Sequence, residues 1–199
     1  MRDRELLTMV QAQPQLKTFE DFLRYTEGTD AYYELTNGVL IEMPPESYEN
    51  LRRALQLYDW LRTLVDSQQV CPQGLAIAVP GQPKNRYPDL TVLRPEHPEQ
   101  MRTFGQAAIT LDMAPPLLVV EVVSPGAENH RRDYFEKRNQ YEWRGIPEYW
   151  IVDPILSQVT VLSLTAAGYE EVIFTGDETV QSPTFPDLAV SAADILTVG

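Results

Sequence analysis

Three acidic residues stand inside segments whose neighbours are apolar: Glu34 in YYEL, Asp89 in YPDLTVL and Glu121 in LLVVEVVS. A carboxylate in a buried strand needs a partner, because the ionised group loses its hydration there. Three such acids from separate segments suit one shared partner, a divalent cation that relieves their mutual repulsion. Each acid could instead be satisfied separately by hydrogen bonds or by an arginine, and pattern alone leaves both readings open. Any cation held this way is a hard one with oxygen ligands, Mg2+ or Mn2+. One cysteine, Cys71, and two histidines, His97 and His130, are too few for a zinc site of nitrogen and sulfur ligands. Cys71 has no internal disulfide partner, and its apolar neighbours suggest a small buried hydrophobe.

Because strand side chains alternate, Glu121 and Val123 share a face. Many metal nucleases carry a lysine two residues after the strand glutamate, where it steers the attacking water; here that position is valine. The next helix offers a substitute. Tyr134, Lys137 and Tyr141, spaced i, i+3 and i+7, form one stripe that would turn Lys137 toward the sheet. Asp133, four residues before Lys137, offers a plainer alternative, an ordinary ion pair along the helix. The same helix gathers Arg131, Arg132, Arg138 and Arg144 beside Lys137, and Arg131, Arg132 and Arg138 are the candidate contacts for a polyanionic substrate. A solvated helix face of mixed charge is the alternative there.

These residues need elements to position them. Thr18 reads as the N-cap of a helix over 19–26. Two strand-like runs within 32–43 flank Asn37-Gly38, a strong hairpin signal. Residues 46–67 carry Leu51, Ala54, Leu55, Tyr58, Leu61, Leu64 and Val65 at helical spacing. Segments 70–79 and 88–93 read as strands, separated by a Gly/Pro-rich turn, and 94–116 reads as an irregular connection. Leu117 to Val123 is a nearly continuous apolar run, the pattern of a strand covered on both faces. A helix over 129–143 follows, ended by Gly145 and Pro147, then a strand over 148–152. A second hairpin is expected over 159–174 and a short helix over 191–196. The order predicts an α/β (α+β) domain, a mixed sheet flanked by helices, with an N-terminal helix and hairpin.

Composition bounds the rest. A chain of 199 residues, 43% hydrophobic and 23% charged, fits one soluble globular domain, expected over 18–199 after an N-terminal extension, 1–17. No run approaches the roughly 18 apolar residues of a membrane span, and the first residues lack a signal peptide's apolar segment, so a cytoplasmic protein without a membrane partner is expected. The net charge of −13 opposes non-specific binding to nucleic acid, so a local basic patch would have to override it. Ser124 lacks the flanking glycines of a nucleophile elbow, and no Gly-rich phosphate loop is present. Tyr149 and Trp150, or the hairpin at 159–174, could serve a homodimer interface if they are exposed, but places in the core are the favoured reading.

Five ordered blocks carry a resemblance: Tyr33-Glu34-Leu35 with Asn37-Gly38, Pro88-Asp89-Leu90, Glu121-Val122-Val123-Ser124-Pro125, Asp133 with Lys137 and Tyr141, and the run from Gly145 to Pro154. Together they resemble the Uma-type endonucleases of the PD-(D/E)XK restriction-endonuclease-like superfamily, long catalogued as a domain of unknown function. The resemblance spans about 18–196. It implies a restriction-endonuclease-like core, a Mg2+- or Mn2+-dependent nuclease, and nucleic acid, DNA foremost, as substrate. By position it implies Asp89 and Glu121 as metal ligands with the Val122 carbonyl as a further one. Glu34 would be the upstream acid, binding a second metal directly or through water, and Lys137 the lysine that has moved from strand to helix. The chain departs from the family where a histidine often leads into the long helix: it reads Pro44-Pro45-Glu46-Ser47-Tyr48-Glu49-Asn50. A non-catalytic binding module and a hydrolase of small phosphorylated molecules are the competing readings.

Overall fold

The structure, a computed structural model, describes residues 16–29 and 31–198. The expected N-terminal extension lies outside the described residues except for Leu16 and Lys17.

Helix α1 (Phe19–Thr26) starts at Thr18, whose side chain accepts from the Asp21 N–H while Asp21 returns the bond to the Thr18 N–H. This reciprocal cap satisfies two N–H groups that helix geometry leaves unpaired. Strands β1 (Tyr33–Thr36) and β2 (Val39–Glu42) pair antiparallel around Asn37 and Gly38, both at positive φ, which matches the right-handed twist of the strands. Helix α2 (Tyr48–Leu61) follows. It buries Asn50, Ala54, Leu57 and Leu61, whereas Leu51 is exposed, so the inward stripe is rotated from the one expected. The reason is polar: Asn50 has hydrogen-bond partners inside, described below, and takes the inward position that an apolar count assigns to a neighbour.

The expected strand over 70–79 divides in two. Strand β3 (Val70–Pro72) joins the main sheet, and β4 (Ala76–Ala78) joins a small sheet with β5 (Asn85–Arg86) and β7 (Ala108–Ile109). Between them lie β6 (Leu90–Val92) and α3 (His97–Phe104). The connection expected to be irregular therefore holds a helix and a strand. Buried His97 ties it together, Nδ1 accepting from the Arg94 N–H at 3.2 Å and Nε2 lying 3.0 Å from the Ala114 carbonyl.

The main sheet is completed by β8 (Leu118–Val122), β9 (Glu148–Asp153), β10 (Gln158–Thr165) and β11 (Gly168–Thr175), in the order β11-β10-β9-β8-β6-β3. Within this sheet only β8 and β9 run parallel, and parallel neighbours require a crossover, here one helical rod from Ala127 to Arg144. Its segments are α4 (Ala127–Arg131), a π-helical stretch (Arg132–Lys137) and α5 (Arg138–Arg144). A final helix, α6 (Ala192–Leu196), packs with α2 on the opposite face. All five residues of β8 are buried, as its apolar run predicts for a central strand covered on both faces. Val120 and Val122 enter the core under α2 and α6; Val119 and Val123 enter the one under the crossover helix. Tyr149 and Trp150 are fully enclosed by the chain's own core, which removes them as surface for a two-fold interface.

The rod ends at Gly145, whose φ of +78° lies in the left-handed region, with its N–H returned to Glu142 and Tyr141. Nothing stands within 4 Å of a Cβ built there, so Gly145→Ala meets no steric obstacle. Its expected cost is the backbone term alone, about 1–2 kcal/mol. Denaturant unfolding checks this, and a neutral substitution would show that the helix end relaxes.

Candidate active site

The register of the sheet brings the acids together. Leu90 of β6 pairs with Val120 of β8, so Asp89, one residue earlier, falls beside Glu121 and Val122. The Val122 N–H donates to Asp89 Oδ2 at 2.7 Å. Glu121 projects toward the crossover helix, on the face it shares with Val123. Its Oε2 accepts from Lys137 Nζ at 2.6 Å and its Oε1 from the Tyr141 hydroxyl at 2.6 Å. Lys137 is 4% exposed and reaches a second carboxylate, Asp133, at 3.0 Å. Asp133 also accepts from Arg132 Nε at 3.1 Å, and its backbone carbonyl receives the Tyr149 hydroxyl at 3.0 Å. The wider π turn lies where Asp133 and Lys137 meet Glu121, and such turns are often found at functional positions.

Asp89, Glu121, Val122, Lys137 and Arg132 line one cleft of about 90 Å³, which also contains Glu46, Tyr32 and Tyr87. Burial, and then the Glu121 charge, pushes the Asp89 carboxyl well above its ordinary range. Burial raises Glu121 too, against the pull of Lys137. For Lys137 burial works against the charge, but Glu121 and Asp133 outweigh it and lift the ammonium above the ordinary lysine range. Tyr141 is pushed well up by burial and then by Glu121, so its hydroxyl stays a donor.

Glu34 is placed differently from the expectation of three converging acids. Both its oxygens accept from one terminal nitrogen of Arg86, at 2.9 and 3.1 Å, and the pair is buried. Arg86 Nε donates to Gln140 Oε1 at 2.7 Å, which links the pair to the crossover helix. Asn85 sets the position: its side chain bonds Leu35 N–H and the Tyr33 carbonyl, both at 2.9 Å, and so holds β1 against β5. Glu34 thus has an arginine partner of its own, the alternative that pattern left open. Among the described residues no three His, Cys, Asp or Glu side chains converge to hold a metal ion.

The remaining donor set still fits a hard cation. The Asp89 carboxylate receives one hydrogen bond from Val122 N–H, and each Glu121 oxygen receives one, so lone pairs remain on both. The Val122 carbonyl is approached by Asn50 Nδ2 only at 3.4 Å. Two carboxylates and a carbonyl match the sparse protein ligation of Mg2+, which keeps several of its waters. The repulsion that raises Asp89 is what a cation between the two acids would relieve.

The basic cluster separates in space. Arg132 lines the cleft, its NH1 donating to Asn129 at 2.9 Å. Arg131 is exposed and paired with Glu136 at 2.5 Å. Arg138 faces the other way, toward Glu171 at 3.3 Å on β11, and is not brought to the cleft. Arg144 NH2 holds the Thr110 and Met113 carbonyls at 2.9 and 2.8 Å.

Two participants escaped the sequence reading as site residues. Tyr141 was placed on the inward stripe but without its bond to Glu121. Asn50 carries a hub at the start of α2: its amide reaches Glu46 Oε1 at 2.9 Å and Ser124 Oγ at 3.1 Å. The available signal was its spacing, since 50, 54, 57 and 61 fall on one helical face and Asn50 is the polar member.

The architecture has a solved counterpart. A protein from Anabaena variabilis described as "a putative nuclease belonging to DUF820" is similar in fold, with a TM-score of 0.62 and 18% identity over 91% of this chain and 98% of that one. No curated protein matches the chain. The family model named Uma2, described as "Putative restriction endonuclease", matches residues 19–198, and the chain belongs to that family.

Proposed function

We propose that the protein is a divalent-cation-dependent nuclease that hydrolyses phosphodiester bonds of nucleic acid, with DNA the expected substrate. The observation that carries the reading is the meeting of Asp89, Glu121 and Lys137 in one cleft, in a chain whose family is described as "Putative restriction endonuclease". Asp89, Glu121 and the Val122 carbonyl would hold Mg2+ or Mn2+. Such an ion, when bound, supplies Lewis-acid polarisation of a phosphoryl oxygen and lowers the pKa of a coordinated water. Lys137, kept cationic by Glu121 and Asp133, serves as a fixed positive charge for the oxygens on which charge develops, and not as a general base. Tyr141 and Asp133 orient Glu121 and Lys137. Arg132 on the cleft wall is the candidate contact for a phosphate, with exposed Arg131, paired with Glu136, a second candidate.

The net charge of −13 and the small cleft favour a second reading, a hydrolase of small phosphorylated molecules. One experiment separates them: purified protein with Mg2+ or Mn2+ is given plasmid, oligonucleotides and free nucleotides, beside Asp89→Asn and Glu121→Gln. Metal-dependent cutting of nucleic acid that is lost in both variants is the expected result. Cutting that survives in both would overturn the assignment of the site, and turnover of nucleotides alone would favour the second reading. A calorimetric titration showing no binding of either ion would point to a non-catalytic module.

A further inference from the structure

We infer that the cleft takes a single strand of nucleic acid, with an unpaired base seated on Tyr32 beside the Asp89–Glu121 cleft. The inference rests on the nuclease reading of that cleft and adds the form of the substrate. The cleft adjoins a second hollow of about 440 Å³, and the two share Tyr32, Met43, Pro44, Pro45, Glu46 and Gln73 as wall. Tyr32 is 41% exposed, yet its ring is held in place. It packs on Tyr87 with centroids 5.0 Å apart, and a Cβ at Gly74 would come within 3.0 Å of its hydroxyl. A supported aromatic ring with an open surface beside a candidate phosphodiester site is a stacking platform for a base, and every base has a face that can use it.

Charge argues against a duplex. A protein that grips double-stranded DNA does so mainly through Lys and Arg on successive phosphates. Along these two hollows the basic residues among those described are Arg132 and Lys137, both already engaged by acids, while Glu42 and Glu46 add negative charge to the wall. A single strand depends less on phosphate neutralisation than a duplex does, and stacking adds affinity beyond what these two cations supply. It also requires a base whose face is uncovered, which a continuous duplex does not present. The Gln73 amide, on the wall of both hollows, stands where a base edge could meet a donor and an acceptor.

The test uses the full chain with Mg2+ and an oligonucleotide carrying 2-aminopurine, presented as a single strand and as the same sequence closed in a hairpin duplex. The expected result is fluorescence quenching and tighter binding for the single strand, with faster cutting of that form. Tyr32→Ala should weaken single-strand binding about tenfold and abolish the quenching. Tyr32→Trp should keep both, which separates stacking from a general loss of structure. Cutting of both forms at equal rates, unaffected by Tyr32→Ala, would overturn the inference and leave the nuclease reading standing. Tyr32-dependent quenching without any cutting would support the inference while removing the nuclease reading. Absence of both binding and cutting would overturn the two together.

Discussion

Replacing Lys137 with methionine is expected to lower the unfolding free energy by about 3–5 kcal/mol, because it leaves buried carboxylates without their cation. Methionine keeps most of the apolar stem, so the loss comes chiefly from charge. Glu121, 2% exposed, keeps only the Tyr141 hydroxyl on one oxygen. Asp133 keeps Arg132 at 3.1 Å, so the larger penalty falls on Glu121. The double variant Glu121→Gln with Lys137→Met should therefore recover much of the loss, whereas Asp133→Asn with Lys137→Met should recover less. The difference is a coupling energy, read from a double-mutant cycle by urea or guanidinium unfolding. A single-variant loss below about 1 kcal/mol would mean that the ammonium is solvated, as in exposed pairs, and that the network has been misread.

Asp89→Asn should move stability and activity in opposite directions. Asparagine has about the same size and its carbonyl oxygen can still accept from Val122 N–H, but it carries no charge facing Glu121. Metal-dependent cutting is expected to fall on the order of 10³-fold, since the stabilisation a bound ion offers the transition state is worth several kcal/mol. The metal-free protein should become more stable than the parent, increasingly so with pH. Asp89 is raised in the folded state by burial and by Glu121, so the parent's folded form holds a proton that its unfolded form has already released above about pH 3.9. The unfolded state then binds fewer protons, and the Asp89 contribution to stability falls as pH rises from there through the folded value. The variant lacks that fall. Its advantage over the parent should be near zero at low pH, grow through the window and then level off, which unfolding in EDTA at a series of pH values would show. An advantage independent of pH would contradict a carboxyl raised by burial and then by Glu121.

Much of the fold and part of the site could be read along the chain, and the reasons are local. The apolar run around Glu121 and the Asn-Gly turn are periodicities or turn signals that a few neighbouring residues carry. So are the glycine after the crossover helix and the stripe of Tyr134, Lys137 and Tyr141. Lys137 does turn toward the sheet, because the helix face was legible from spacing. The ordered motifs pointed to the family whose model matches the chain.

What local pattern could not decide was which polar groups pair. The pattern around Glu34 is that of a third convergent acid, but Arg86, 52 residues away, holds it. That pairing depends on how the small sheet meets the hairpin, which no local signal encodes. Arg131, Arg132 and Arg138 are close in sequence, yet the direction each takes depends on the helix's rotation over the sheet and on the π turn. Only Arg132 reaches the cleft. Asn50 went unnoticed as a site residue because its partners, Glu46 and Ser124, come from the preceding turn and from the end of β8. By itself, then, the sequence determined most of the elements outside 70–79 and 94–116, the family and the acid in the central strand, since hydrophobic periodicity and turn chemistry act over a few residues. Tertiary structure alone decided that of the three strand acids Asp89 and Glu121 face the cleft and Glu34 does not, because a buried charge is settled by the partner that the folded chain brings to it.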